Sequence, residues 1–274
     1  MNDWRYYNHA LIPTVAPDES PDISFLDDIS DLKKEGKNPL FARWTSDFGN
    51  ADHKDWYYVI KSEQFDITAL KSNRRYEINK GKKNFTCRRI DPREYVDEIY
   101  NIQVEVYKTY PEKYRPSIDR ETVGKWIQEW ENVWGAFDGN GNLCSFLQSN
   151  IYEKYIELTL LKSLPSRERE NVNFAILNTF LEDQAQALAE GKYICNGERN
   201  LLHETNFNEF LEKYFGFKKV FCQLNMRYFG FMKPTVRLLY PFRKLFYGSE
   251  NKILSSVGSI LQMEEIARKT GGHH

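Results

Sequence analysis

Residues 161–177 read LKSLPSRERENVNFAIL. The leading residues finish an apolar, strand-like run, IELTLLKSL, and the trailing ones begin a helix. Between them lies a polar turn carrying Arg167, Arg169, Asn171 and Asn173. A strand that feeds a turn, which in turn opens a helix, is the layout of an anion cradle. The first N–H groups of a helix have no intrahelical partner, and the helix dipole favours negative charge beside them. No glycine occurs in the stretch to bring the backbone close to a phosphate. Asn171, like Asn173, tolerates a left-handed backbone better than most residues. The other reading is an ordinary strand-to-helix connection with solvated arginines, and the turn alone leaves both open.

Working outward, the segments before the turn form a meander. VWGAFD leads through GNGN into LCSFLQSNIY, and YIELTLLKSL follows. Glycine and asparagine in that order are hairpin chemistry. After the turn, ENVNFAILNTFLEDQAQALAE reads as one amphipathic helix ended by Gly191, and KYICNGE as a buried strand. HETNFNEFLEKYF is a helix closed by Gly216, and FKKVFCQLNMRY is the last strand. Upstream, FTCRRI alternates as a strand. DPREYVDEIYNIQVEVYKTY carries an Asp cap, a first-turn proline and apolar Tyr95, Ile99, Ile102 and Val106. DRETVGKWIQEWEN is a second helix. From residue 84 the order is thus strand, two helices, three strands, helix, strand, helix, strand.

Residues 1–40 read as mostly loop with a short helix around DISDLKKEG. ARWTSDF and DWYYVIKS are strands, and DITALKSNRRYEINKGKKN is a helix capped by Asp66 and stopped by Gly81. These features predict an N-terminal extension over 1–83, a main domain over 84–228 and a helical tail over 229–274.

The 274 residues, 41% hydrophobic and 15% aromatic, suffice for a large core and exclude a disordered chain. Net charge is −1, so the chain as a whole is not a general polyanion binder. Charge is nonetheless uneven: residues 71–89 hold eight basic side chains against Glu77 alone. Cys87, Cys144, Cys195 and Cys222 form no CxxC pair, which argues against a disulfide framework or zinc knuckle and for a reduced, cytoplasmic setting. No metal site is expected, and His273 and His274 in the terminal GGHH are set aside. The first residues are too polar for a signal peptide, and no apolar run approaches a membrane span.

This element order resembles the GNAT acyltransferases over about residues 84–228, with LPSRERENVNFAIL at the cofactor turn and FLEKYFGFKKVF at the closing helix and strand. KSNRRYEINKGKKNFTCRRI resembles the Fem-type aminoacyl transferases, although the chain is short for their tandem domains. The resemblance implies an α/β (α+β) fold with a largely antiparallel mixed sheet, flanking helices and a splayed strand pair. It implies acyl-CoA, in particular acetyl-CoA, as co-substrate. The pantetheine would lie along Leu160, Leu161 and Lys162, and the pyrophosphate against Arg167, Arg169, Asn171, Val172 and Asn173. The acceptor would be a small amine, such as a sugar nucleotide or a cell-envelope precursor. The Fem likeness implies charged tRNA as an alternative donor, and a non-catalytic GNAT-shaped binding protein is the third reading.

Acyl transfer to an amine needs a base, oxyanion donors and an acid for the thiolate. CNGERNLLHET follows the fifth strand of that order, and there Glu198 and His203 have basic character. Arg199 could pair with Glu198 or, with Asn200, contact the acceptor. The family's acid is a tyrosine four residues before the GF glycine. That position is Glu212 here, and Tyr214 stands two residues before Gly216. Arg74 and Arg75 have guanidinium forks suited to an anionic substrate, or else belong to a solvated helix face. Residues 227–247, RYFGFMKPTVRLLYPFRKLFY, hold five basic residues and no acid among aromatics. They read as a packed helix with basic ends or as a peripheral contact with the inner membrane surface. NKILSSVGSILQMEEIARK is a further amphipathic helix that could mediate self-association.

Overall fold

The computed structural model describes residues 3–50, 52, 54–112, 115–201 and 206–272. The backbone divides into two units. The first comprises residues 1–58, 198–205 and 219–274, and the second 59–197 and 206–218. This division differs from the expected 1–83, 84–228 and 229–274.

In the first unit a four-stranded sheet runs β1-β2-β3-β11, with β1 (Trp4–Tyr7), β2 (Ala10–Pro13), β3 (Phe41–Ser46) and β11 (Gln223–Tyr228). The stretch read as mostly loop therefore contains a hairpin. It was illegible because its turn is Asn8-His9, both at positive φ (45° and 62°), without the usual glycine. The short helix α1 (Ser30–Lys34) lies where it was expected. The period-two pattern of β3 sorts its side chains between two cores. Phe41 joins Met226, Tyr228 and the helices α8 (Met232–Leu239) and α9 (Lys252–Lys269), while Ala42 and Trp44 join Trp4, Leu11 and Leu26.

The larger sheet has seven strands in the order β10-β4-β9-β8-β7-β6-β5. They are β4 (Tyr57–Lys61), β5 (Thr86–Ile90), β6 (Asn132–Phe137), β7 (Leu143–Ile151), β8 (Tyr155–Ser163), β9 (Tyr193–Glu198) and β10 (Lys218–Phe221). β6 to β8 form the expected antiparallel meander, β5 adds to it antiparallel beside β6, and β8 pairs with β9 in parallel. The helices of the second unit are α2 (Ser72–Asn84), α3 (Val96–Lys108), α4 (Arg120–Gln128), α5 (Val172–Asp183), α6 (Ala185–Ala189) and α7 (Phe207–Phe215). The apolar positions of α3 and α4 behave as their spacing demands. Ile99, Ile102, Val123 and Ile127 are at most 1% exposed and pack on Val133, Phe137 and Phe146. Each such burial contributes about 1.5–3 kcal/mol.

Three further expectations are corrected. The helix read over 170–190 breaks at Gln184 into α5 and α6. The last strand divides at Cys222, so that β10 and β11 belong to different sheets. Gly81 does not stop a helix but lies inside α2, for a reason that belongs to the site.

Candidate active site

β7 and β8 pair in register until Gln148 meets Leu160, and the next step pairs Ser149 with Leu158. One residue of β8, Thr159, is therefore extra. Such a bulge bends its strand and sharpens its twist. On the other side β8 pairs with β9 only at Tyr155–Tyr193, Ile156–Ile194 and Glu157–Cys195. Beyond that point no register is paired among the described residues, although β8 runs on to Ser163 and β9 to Glu198. The splay thus begins where the bulge bends β8. It leaves backbone groups around Leu160, Leu161 and Lys162 without a strand partner on that side.

β8 ends in a single turn of 3-10 helix, Pro165–Glu170, which opens α5. Pro165 suits its first position, where no N–H is needed. Asn171 joins the two at φ 67° and ψ 35°, the left-handed conformation its side chain tolerates. Its side chain does not cap α5, and no side chain among the described residues does. The first amides of a twelve-residue helix stay open as a result. Val172 is fully buried and offers only backbone. The Asn173 side-chain amide contacts Ser163 Oγ, which also lies 2.6 Å from Ser145 Oγ, so the end of β8 is tied to the first turn of α5.

α2 holds this turn from behind. Lys80 Nζ donates to the Arg169 carbonyl at 3.2 Å, and Asn84 Nδ2 to the Glu170 carbonyl at 3.1 Å. Asn171 Nδ2 donates to the Glu77 carbonyl at 3.0 Å and to the Glu77 carboxylate. Residues 77, 80, 81 and 84 share one helix face. Gly81 sits at its centre, where a Cβ would run into the Asn171 carbonyl and lie 3.1 Å from the Ala175 nitrogen. The glycine is there for close approach, not termination.

The expected cofactor residues divide by role. Arg167 does not reach out: its guanidinium pairs with Asp138 at 3.1 Å and Glu170 at 2.9 Å and lies over the Phe85 ring. Hydrogen bonds, the Asn142 amide first, hold the Asp138 carboxyl below its ordinary range. Arg169 is exposed, and its guanidinium has no partner among the described residues. Leu160 packs against the core around Ile99, and Leu161 is half-buried. Lys162 is caged by two tyrosines, donating to Tyr110 Oη at 2.7 Å and lying 5.2 Å from the Tyr107 ring.

Tyr214, on α7, meets Phe174 edge-on at 4.9 Å, and Arg74 lies over its ring at 5.8 Å. Three of the expected residues or groups therefore gather in the second unit: the cradle, Tyr214 and Arg74. Arg75 points elsewhere, donating to the Thr68 carbonyl. Glu198, Arg199 and Asn200 belong to the first unit. The partner of Glu198 is Arg43, not Arg199, and both side chains of the pair are about three-quarters buried. Arg199 donates to the Asp55 carbonyl at 2.6 Å and its amide to the Tyr57 carbonyl at 2.8 Å. His203 lies outside the described residues. Sequence reasoning missed the clamp of Glu77, Lys80, Gly81 and Asn84, whose only signal was a glycine inside a helical pattern.

No family model and no curated protein matches this sequence. Solved structures match the fold. FemX is 9% identical with a TM-score of 0.54, over 84% of this chain and 82% of that one. L-PGS from Bacillus licheniformis is 14% identical with a TM-score of 0.50, over 81% and 78%. A tandem GNAT protein from the clavulanic acid biosynthesis pathway is 10% identical with a TM-score of 0.41, over 73% and 67%. With its strand-helix order, the bulged strand that parts from its neighbour and the turn into an uncapped helix, the chain has a GNAT-like fold, in an arrangement shared with FemX.

Proposed function

We propose that this chain is an N-acyltransferase that takes an acyl group, such as acetyl, from acyl-CoA and passes it to an amine. One observation carries the reading: the unpaired edge of β8 leads, through a short 3-10 helix, to a helix N-terminus that begins at the left-handed Asn171 and is uncapped. An unpaired strand edge suits the amides of pantetheine, as strand addition does, and open first-turn amides suit a pyrophosphate. Arg169 stands exposed on the same turn as a free cation for a further phosphate.

When bound, acyl-CoA supplies a thioester carbonyl open to attack. The acceptor nitrogen forms the new bond to that carbon, the C–S bond breaks and the sulfur leaves as a thiolate. In this reading unpaired N–H groups of β8 stabilise the oxyanion, Tyr214 gives the thiolate its proton, and Glu198 takes the proton from the amine. Arg43 fixes Glu198 by one carboxylate oxygen, Oε1. Arg199 and Asn200 beside it are assigned to the acceptor. Arg199 already braces residues 55–57, so it contributes there as a rigid edge.

Titration calorimetry with CoA and acetyl-CoA tests the donor. One site is expected, and Arg169→Glu should weaken it about tenfold, since reversing a charge beside a phosphate removes an attraction and adds a repulsion. Glu198→Gln should keep that affinity and lower free-thiol release by about 100- to 10,000-fold with a panel of amines. Equal release rates would remove Glu198 as the base. The likeness to FemX favours a second reading, a Fem-type transferase fed by charged tRNA with Arg74 on the nucleic acid. No heat with CoA, together with tRNA retention that falls steeply with salt, would replace the first reading by the second.

A further inference from the structure

Large apolar side chains should be covered, yet the C-terminal part of the first unit displays a row of them. Phe231, Leu238, Phe242 and Leu245 are 57–78% exposed. Their spacings of seven, four and three place them along one helical stripe through α8 and the short turn of 3-10 helix that follows it. The face of α8 that serves the core is a different one, made by Met232 and Val236. Ile253 and Leu254, at the start of α9, are exposed as well.

A third sector of the same helix is basic. Lys233 and Arg237, one turn apart, line a cavity of about 520 Å³ with Tyr240 and Arg268, beside the buried Tyr228 and Glu264. Glu264 is already taken by Arg268, at 2.7 Å, and by the Tyr228 hydroxyl, at 2.8 Å. Arg268 in turn lies 3.8 Å over the Tyr240 ring. Lys233 and Arg237 have no hydrogen bond or ion pair among the described residues, so the cavity carries unneutralised positive charge. Lys244 adds another exposed cation, and residues 227–247 hold no acid at all.

We infer that α8 and the turn after it form a docking surface for an anionic phospholipid membrane. The apolar stripe enters the acyl boundary, and Lys233 and Arg237 receive a lipid phosphate. An apolar stripe flanked by basic residues on a surface helix is how interfacial helices bind, and charge complementarity selects anionic lipid over neutral. No helix among the described residues is long and apolar enough to cross a membrane.

Flotation of the full chain with phosphatidylcholine vesicles, with and without phosphatidylglycerol, tests the inference. The chain should float with the anionic vesicles, not with the neutral ones, and salt should weaken the association. Leu238→Asp combined with Phe242→Asp should reduce flotation at least tenfold. Arg237→Gln should reduce it about fivefold, the effect of one basic residue near an anionic surface. These side chains are exposed, so the variants should fold and keep the circular dichroism of the parent. Absence of flotation at low salt would overturn the inference, with a dimer in sedimentation velocity showing that a second copy covers the stripe. Equal flotation of the variants would also overturn it. So would stabilisation by inorganic phosphate equal to that by vesicles, because the cavity would then be a site for a soluble anion.

Discussion

Among the helices that begin after an asparagine, α5 and α9 put that residue to opposite uses. Asn251 precedes α9 at φ −73°, and its Oδ1 accepts from the amides of Ile253 and Leu254 at 2.9 and 3.2 Å. Asn171 precedes α5 at φ 67°, and its side chain turns back to Glu77, so the first amides of α5 stay open. One residue type closes a helix in one place and leaves it open in another, and at Asn171 the left-handed backbone goes with the open start. A capped helix start is finished structure. An uncapped one, held open by a clamp from α2, is available to a ligand.

The clamp is where the comparison breaks most readily. Gly81→Val would put two methyl groups against the Asn171 carbonyl and Ala175, backbone and side chain alike. We expect a loss of about 3 kcal/mol in denaturant unfolding, at the upper end for overpacking, and loss of CoA binding. A variant that unfolds like the parent would mean that α2 does not hold the turn. Asn171→Ala comes next. It forces an alanine into the left-handed region and removes a nearly buried hydrogen bond, costing about 2–3 kcal/mol together. Asn171→Gly meets the same backbone without strain and should cost about 1 kcal/mol, with CoA affinity kept. If glycine and alanine behave alike in urea melts, the left-handed conformation is not what matters here. Asn251→Ala sharpens the contrast from the other side. It should cost about 1 kcal/mol, as the loss of a cap does, and leave CoA affinity unchanged in calorimetry.

Local chemistry made part of this readable in advance. The periodicities of 95–106 and 120–127 and the hairpin glycines of 139–142 gave the meander and its helices. Asn171 stood out because it falls where the resembled family carries a glycine, and asparagine tolerates the left-handed region better than most residues. The splay was expected by resemblance, but its cause, the extra residue Thr159, leaves no mark in a period-two pattern. The clamp was hidden for a different reason. Lys80 and Asn84 looked like members of a solvated basic helix, and only the distant carbonyls of Arg169 and Glu170 show what they hold. Gly81 was misread as a stop because glycine commonly ends helices, and only tertiary contact distinguishes the two uses. Arg43 was overlooked as the partner of Glu198 because Arg199 stood adjacent in sequence.

The hydrogen bond from Asn171 to Glu77 closes a loop across 94 positions in the chain. The β6–β8 meander, by contrast, is built from strands adjacent in sequence, and bringing distant segments together costs loop-closure entropy that is repaid only once contact is made. The clamped turn should therefore form after the meander. During refolding the β6–β8 hairpins should recover first, and the CoA binding proposed for the turn should return afterwards, when α2 settles on it. A nascent or partly refolded chain would then hold its hairpins and still lack the ordered turn on which the proposed binding depends.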